Sequence, residues 1–359
     1  MAHEAQERYS KLVLAKMRQD LVLKDGVVFN NDYEGNPTVG AVKIPVRDTE
    51  VAVSDYDKAN GIQGTSSSTG YETVVVDQDI AINEIVDGYD AASVPDKIVA
   101  ERLNSGAYSL ALRKDTHGGS VLLAGSTPMG VEVLTKDNIY GVIVDIRKEM
   151  NTANIPDDGK RYLLVTPEAE ALILKSPEFI SASNLGDEIK QAGAIGKIAG
   201  FIVITWNDST PGLAMIAGHP RFATRVNEWA VKPHVQDLGS SGKYIGASAV
   251  QGREVFTHKV LRSVAIRSVY SPKVLVVDSD PGATKGNTVV TVAGATGTLY
   301  YRINPSVRAK HGAEVDERFL ELTSGETQIT AKQNAVIEVV EVTDGKISAA
   351  GYVHADTKA

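Results

Sequence analysis

Seven histidines, a Ser-x-x-Lys run, a glycine-rich loop and an aspartate pair are the residues of this chain whose types suit catalysis or ligand binding. The histidines are His3, His117, His219, His234, His258, His311 and His354. No two stand at His-x-x-x-His spacing and no acidic cluster accompanies them, so the sequence offers no metal site, and each reads as a surface or structurally satisfied side chain. Cysteine is absent, which removes disulfides, thiol catalysis and thiolate ligands. Ser240-Ser241-Gly242-Lys243 matches Ser-x-x-Lys, but the companion Lys-Thr-Gly is missing, as is any Gly-x-Ser-x-Gly elbow. Residues 193–200, Gly-Ala-Ile-Gly-Lys-Ile-Ala-Gly, have the composition of a phosphate loop without its spacing, because the glycines precede a strand instead of following one. In Gly282-Ala283-Thr284-Lys285-Gly286 the lysine comes before the last glycine, against the phosphate-loop pattern. Asp157 and Asp158 sit in Pro-Asp-Asp-Gly, ordinary turn chemistry. No catalytic, cofactor-binding or metal residue is expected, and the chain reads as structural.

The elements around these residues form distinct blocks. Residues 7–24 read as an extended or loosely helical arm, with Leu12, Met17 and Leu21 at imperfect helical spacing. From Val39 the period becomes two: Val42, Ile44 and Val46 alternate with Lys43, Pro45 and Arg47, and Pro45, which lacks an N–H, marks an edge strand. Val51 and Val53 continue the alternation, and residues 73–76 and 80–82 supply return strands. The stretch between, Ala59 to Gly70, is rich in Gly, Ser and Thr and reads as a mobile tip. An isolated hairpin is marginal in water, so this one needs something to lie on. Ser93 is the expected cap of a helix whose face is Val99, Leu103, Gly106, Ala107 and Leu110, ending near His117-Gly118-Gly119 because paired glycines stop helices. Thr135 is the expected cap of a second helix, striped by Ile139, Val142, Ile143, Ile146 and Met150. Residues 161–165 read as a buried strand. Thr166-Pro167 opens a short helix, and residues 201–205 and 213–217 read as core strands. Residues 229–269 are mostly extended. After Ser271-Pro272 short strands alternate with turns, and Asp344-Gly345 marks the last hairpin. This end reads as a separate β-sandwich of about 90 residues.

The bulk numbers fit a folded chain of several domains: 359 residues, 43% apolar and 23% charged. No run approaches the ~18 apolar residues of a membrane span, and the N-terminus lacks the apolar core of a signal peptide, so a soluble, non-exported protein is expected. A net charge of −8 argues against sequence-specific DNA binding, which usually shows a basic excess, while remaining compatible with enclosing DNA.

One series in the α+β block is more specific than its parts. Arg161-Tyr162-Leu163-Leu164-Val165-Thr166-Pro167 leads to Leu174-Lys175-Ser176-Pro177-Glu178-Phe179. Gly186-Asp187, Gly193, Ile195-Gly196, Gly200-Phe201-Ile202-Val203 and Ala214-Met215-Ile216-Ala217-Gly218-His219 follow. With the block order, this resembles the tailed-bacteriophage major capsid proteins of the Hong Kong 97-type fold over roughly residues 1–270. The resemblance implies an α+β fold with an N-terminal arm (1–38), an extended loop (39–92), a peripheral domain with a spine helix (93–134 and 226–270) and an axial domain (135–225). Residues 271–359 lie outside the shared fold and resemble the immunoglobulin-like modules that some capsid proteins carry.

The same resemblance implies a function. It is a coat protein assembling as hexamers and pentamers into an icosahedral virion shell around double-stranded DNA, put together in the host cytoplasm. The implied partners are other copies of the chain, a portal and decoration proteins. With the hairpin starting near Val39 there is no room for a long N-terminal scaffolding segment, so a separate scaffolding protein is expected. The extended-loop tip, with Lys58, Gly61, Ile62, Gln63, Gly64 and Gly70, is the expected assembly contact. Some family members cross-link Lys to Asn; Lys58 is the positional candidate, and a solvated surface lysine is the better reading. An encapsulin-like compartment, with nearly the same fold, is the alternative, and an adhesin or a hydrolase has less behind it.

Overall fold

The computed structural model describes residues 18–33, 40–46, 51, 53, 55–61, 69–93, 98–178, 196–239, 243 and 245–358. Its elements begin with strands β1 (Ala41–Val46), β2 (Gly70–Val75) and β3 (Gln78–Val86), then helices α1 (Gly88–Ser93) and α2 (Ile98–Gly125). Next come β4 (Thr127–Gly130), α3 (Ile139–Thr152), β5 (Tyr162–Val165), α4 (Pro167–Leu174), β6 (Lys197–Ile198), β7 (Phe201–Thr205) and β8 (Leu213–Gly218). The long strands β9 (Ala223–Asp237) and β10 (Ser248–Val260) follow, then β11 (Arg267–Tyr270), β12 (Lys273–Val274), β13 (Val276–Pro281), β14 (Asn287–Ala293) and β15 (Thr298–Ile303). The chain closes on β16 (Leu320–Glu321), β17 (Gln328–Thr330), β18 (Val336–Thr343) and β19 (Lys346–His354). It divides into two compact units, Met1–Ala124 with Ala223–Leu261, and Gly125–Phe222 with Arg262–Ala359.

In the first unit β10 is the centre of an antiparallel sheet of order β3-β10-β9. The hairpin is shorter than the period-two reading implied. Only β1 and β2 pair, from Ala41↔Val75 to Val46↔Gly70. The Ile80–Ile82 stretch instead lies in β3 and pairs with β10, while Val51 and Val53 stand outside any strand and are exposed. Of the arm expected to be extended or loosely helical, residues 7–17 lie outside the described residues, and residues 18–24 are not helical.

The long helix corrects a second expectation. Ser93 ends α1, residues 94–97 lie outside the described residues, and α2 passes straight through Gly118-Gly119 to Gly125. Gly118 serves packing here. A Cβ on Gly118 would stand 3.0 Å from the Phe29 ring and 3.2 Å from His258 Nε2, so a side chain there would press on both rings. The loss of helix propensity, about 1 kcal/mol per glycine, is offset by that approach.

The second unit is built on a six-stranded sheet of order β4-β11-β8-β5-β7-β6. Every residue of β5 and β8 is buried, which is why both read as continuous apolar runs instead of alternating ones. Helix α3 lays Ile139, Ile143, Ile146 and Met150 into this core, all fully buried, each side chain contributing roughly 2 kcal/mol of transfer free energy. Thr135 is not its cap. Asn138 is, and its side chain reaches back along the chain, Oδ1 accepting from Thr135 N at 2.7 Å and Nδ2 donating to Val133 O at 2.9 Å. Thr166 caps α4 as expected, accepting from Ala169 N with Pro167 in the first turn. The buried Arg161 guanidinium donates to the carbonyls of Ile155 and Pro156, while Asp157 pairs with Arg147 and Asp158 with His219. The aspartate pair thus holds a turn. Strands β4 and β11, expected with the peripheral part, belong to this sheet: β11 pairs parallel to β4 and antiparallel to β8.

Residues beyond Tyr270 form two further sheets, β12-β19-β18-β15-β16 and β13-β14-β17. Asp344 and Gly345 both adopt positive φ, 52° and 77°, the two-residue hairpin turn their types call for. The five-stranded sheet is covered on both faces. Ile337, Val339 and Ala349 join Val290 and Ile329 of the smaller sheet. Val340, Ile347 and Ala350 pack with Ala309, Phe319 and Val133. Val133 precedes α3, so this β region is seated on the rest of its unit. His311 N donates to Val131 O at 3.0 Å, and the His311 ring stacks on Tyr270 at 5.6 Å. A Cβ on Gly130 would meet His311 O at 2.1 Å, so the seat requires glycine there. Buried Glu338 sets the seating loop, accepting from Arg302 Nε at 2.6 Å and Ala309 N at 2.9 Å.

Candidate assembly surfaces

The strand register separates the two faces of the β1–β2 hairpin. Val42, Ile44 and Val74 turn inward and pack with Val226, Tyr33 and Leu261. A salt bridge from Lys259 to Glu72 at 2.8 Å and a bond from Gly40 N to Glu228 Oε1 at 3.1 Å tie the hairpin down. The outer face carries Pro45 and Tyr71, directly paired, with Tyr71 67% and Val75 61% exposed. Val51, Val53 and Tyr56 on the same excursion are more exposed still, Val53 at 96%. Scattered apolar exposure is normal; here several large apolar side chains, Val51, Val53, Tyr56, Tyr71 and Val75, lie exposed within one stretch of the chain.

Of the expected tip residues, Lys58 lies exposed in the turn that Asp57 organises. Asp57 accepts from Ala59 N at 2.8 Å and from Asn60 Nδ2 at 2.6 Å, and these bonds hold its carboxyl below the usual carboxylate range. Gly61 follows with φ of 67° and donates to Asp57 O. Gly70 opens β2 opposite Val46. Ile62, Gln63 and Gly64 lie outside the described residues, as does Ser240 of the Ser-x-x-Lys run.

A buried polar cluster fastens residues 23–30, and sequence reasoning missed it. Leu23, Val28 and Phe29 are fully buried. Leu23 N donates to Asp115 Oδ1 of α2 at 2.9 Å, and Asn30 N to Ala223 O of β9 at 2.9 Å. Arg225 of β9 gathers the rest: Nη1 on Asp25 at 2.9 Å, Nη2 on Leu23 O at 2.7 Å, and Nε on His258 Nε2 at 2.8 Å. His258 in turn meets His117 of α2, Nδ1 to Nδ1 at 2.9 Å, and Phe29 packs on the His258 ring at 4.7 Å. The guanidinium can only donate, so His258 Nε2 is an acceptor and its proton sits on Nδ1, donated to His117. Both imidazoles are neutral in this chain of bonds. Burial, then Arg225, His117 and Lys114, hold His258 down to about 2, and burial also lowers His117. Desolvation raises the Asp115 carboxyl and lowers Arg225. His117 and His258 are 141 positions apart, a separation with no local signature. Among the described residues no group of His, Asp and Glu could hold a metal ion, and no helix is long and apolar enough to cross a membrane.

No protein-family model matches the sequence, and no curated protein matches it. Solved structures do. A chain of Mycobacterium phage Che8 is 25% identical at a TM-score of 0.59, the match covering 74% of this chain and 96% of that one. The capsid of cyanophage P-SCSP1u matches at 12% identity and a TM-score of 0.62, over 74% and 92% of the two chains. The mature capsid of bacteriophage PhiM1 matches at 13% and 0.56, again over 74% and 92%. Nearly the whole of each of those chains thus finds its counterpart here, in a mixed α+β chain with few helices and many strands, and the fold of this protein is that of the tailed-phage capsid proteins.

Proposed function

We propose that this chain is a major capsid protein, a structural subunit and not an enzyme, which assembles with copies of itself as hexamers and pentamers into an icosahedral shell around phage double-stranded DNA. The observation that carries this is the fold match to phage capsids over almost their full length. The hairpin supports it physically. An outer face with Tyr71 and Val75 in water gains burial when another copy covers it, at about 25 cal/mol per Å², and intertwined subunits of this kind form obligate interfaces above about 2,000 Å². The tip residues Lys58, Gly61, Ile62, Gln63, Gly64 and Gly70 belong to that contact in this reading. A separate scaffolding protein, a portal and decoration proteins are the remaining partners, the virion is the site of action, and assembly takes place in the host cytoplasm.

Residues 271–359 are read as an immunoglobulin-like domain on the outer face of the shell. Their own closed core supports this. So does size: the capsid matches leave about a quarter of this chain uncovered, and this region is about that large. Electron microscopy of the full chain, with and without scaffolding protein, tests both readings when repeated on a chain ending at Val269 with Val133→Thr to wet the uncovered seat. Closed shells from both, with outer density missing from the second, are expected. A full chain that stays monomeric in every assembly condition overturns the shell, and internal missing density overturns the placement.

A further inference from the structure

We infer that the His117–His258 pair is an acid-sensitive fastening: it holds residues 23–30 on the first unit at neutral pH and releases them as the imidazoles take up protons. The inference concerns the folded chain alone and stands apart from the capsid reading.

The geometry allows one protonation state. His258 Nε2 faces a permanent donor, Arg225 Nε, at 2.8 Å, and His258 Nδ1 faces His117 Nδ1 at 2.9 Å. A second proton on His258 would set N–H against N–H at Arg225. A second proton on His117 would do the same between the two rings. The first event also places a cation beside the Arg225 guanidinium.

The charged surroundings do not rescue it. Facing His258 are Arg225 from β9 and His117 and Lys114 from α2, with Lys114 already paired to Glu254 of β10 at 2.9 Å. Facing His117 are Asp77, before β3, and Arg113 of its own helix. Asp77 favours the charged form, but burial outweighs it. Arg225 also faces Asp25, Asp115 and Glu254. The fastened segment depends directly on this pair: Phe29 covers His258, and the Arg225 that bonds His258 also holds Asp25 and Leu23 O. Releasing residues 23–30 opens the His258 ring to water, where it regains an ordinary pKa near 6.5.

The sign follows. Both histidines are lowered in the fastened state, so the stability they confer is full above about 6.5 and falls as pH drops below it. Asp115 works the other way, since its carboxyl is raised by burial and its protonation relieves the folded state. That relief strengthens the fastening as pH falls, so a loss of protection below about 6.5 is opposite in sign to Asp115 and belongs to the histidines. At pH 5.5 keeping His258 neutral weakens the fastening roughly tenfold, and His117, lowered in the same direction, adds to that.

Hydrogen exchange on the full chain at pH 7.5 and 5.5, corrected for intrinsic rates, reads this at the amides of Leu23, Val28 and Asn30. Protection is expected to fall roughly tenfold or more, while amides of β5 and β8 hold theirs. In the double variant His117→Gln/His258→Gln, whose amides can relay the same bonds from Arg225 without titrating, the fall should shrink below about twofold. Should that variant not fold, His117→Gln alone is expected to leave roughly the tenfold share of His258. A wild-type change under about twofold overturns the fastening, as does a full wild-type loss persisting in the folded variant, which would assign the effect to carboxylates.

Discussion

In the β1–β2 hairpin, two strands bury Ile44 and Val74 on one face and leave Tyr71 and Val75 on the other in water. In the β region beyond Tyr270, strand β18 is buried through five consecutive residues, because a second sheet covers one face and the 305–319 loop with Val133 covers the other. Both regions are all-β, built from similar residue types, and their economies are opposite. The C-terminal region closes its core within its own unit. The hairpin has half a core and shows the other half outward, as suits a surface completed by another chain. Strand content alone therefore says little about self-sufficiency; the number of covered faces decides it.

Three substitutions test that contrast. The largest effect is expected from Glu338→Ala, which takes the carboxylate from the Arg302 guanidinium, 11% exposed and left with Val307 O, and the acceptor from Ala309 N. Breaking a buried pair from one side costs about 3–5 kcal/mol, to be read by urea denaturation, with β18 and β19 amides losing protection first. A cost under about 1 kcal/mol would show that the seating loop is held by other contacts. Next, Ile44→Ala removes the largest inward side chain of the hairpin strands. About 2 kcal/mol is expected, local to the hairpin, lowering exchange protection of Ala41–Val46 while β18 is unaffected. Equal losses in both regions would mean that they unfold as one body, against the contrast. The smallest effect on the free chain is expected from Tyr71→Ser, within about 0.5 kcal/mol, because an exposed side chain loses little. The same variant should lower the yield of closed particles sharply, and unchanged yield would remove this face from the assembly contact.

Much of the second unit could be read from the chain. The continuous apolar runs of β5 and β8, the α3 stripe, the Thr166-Pro167 start of α4 and the Asp344-Gly345 turn are local signals, each legible within a few residues. The readings that failed involve distant partners. Gly118-Gly119 has the composition of a helix stop, yet the helix runs on, with Phe29 and His258, distant in the chain, lying against Gly118. Ile80–Ile82 has the alternation of a hairpin return, and what draws it away is the longer pairing with β10.

Composition and periodicity by themselves determined the block order, the helical and extended segments, the absence of thiol chemistry and the want of any local catalytic motif. Only the tertiary structure decided which strands share a sheet, which face of the hairpin stays wet, and that His117, His258, Arg225, Asp25 and Asp115 meet around residues 23–30. The reason is physical. Turns, caps and amphipathic periods are set by interactions a few residues long. A buried polar cluster is set by desolvation, which exists only once elements far apart in the chain have excluded water from the same place.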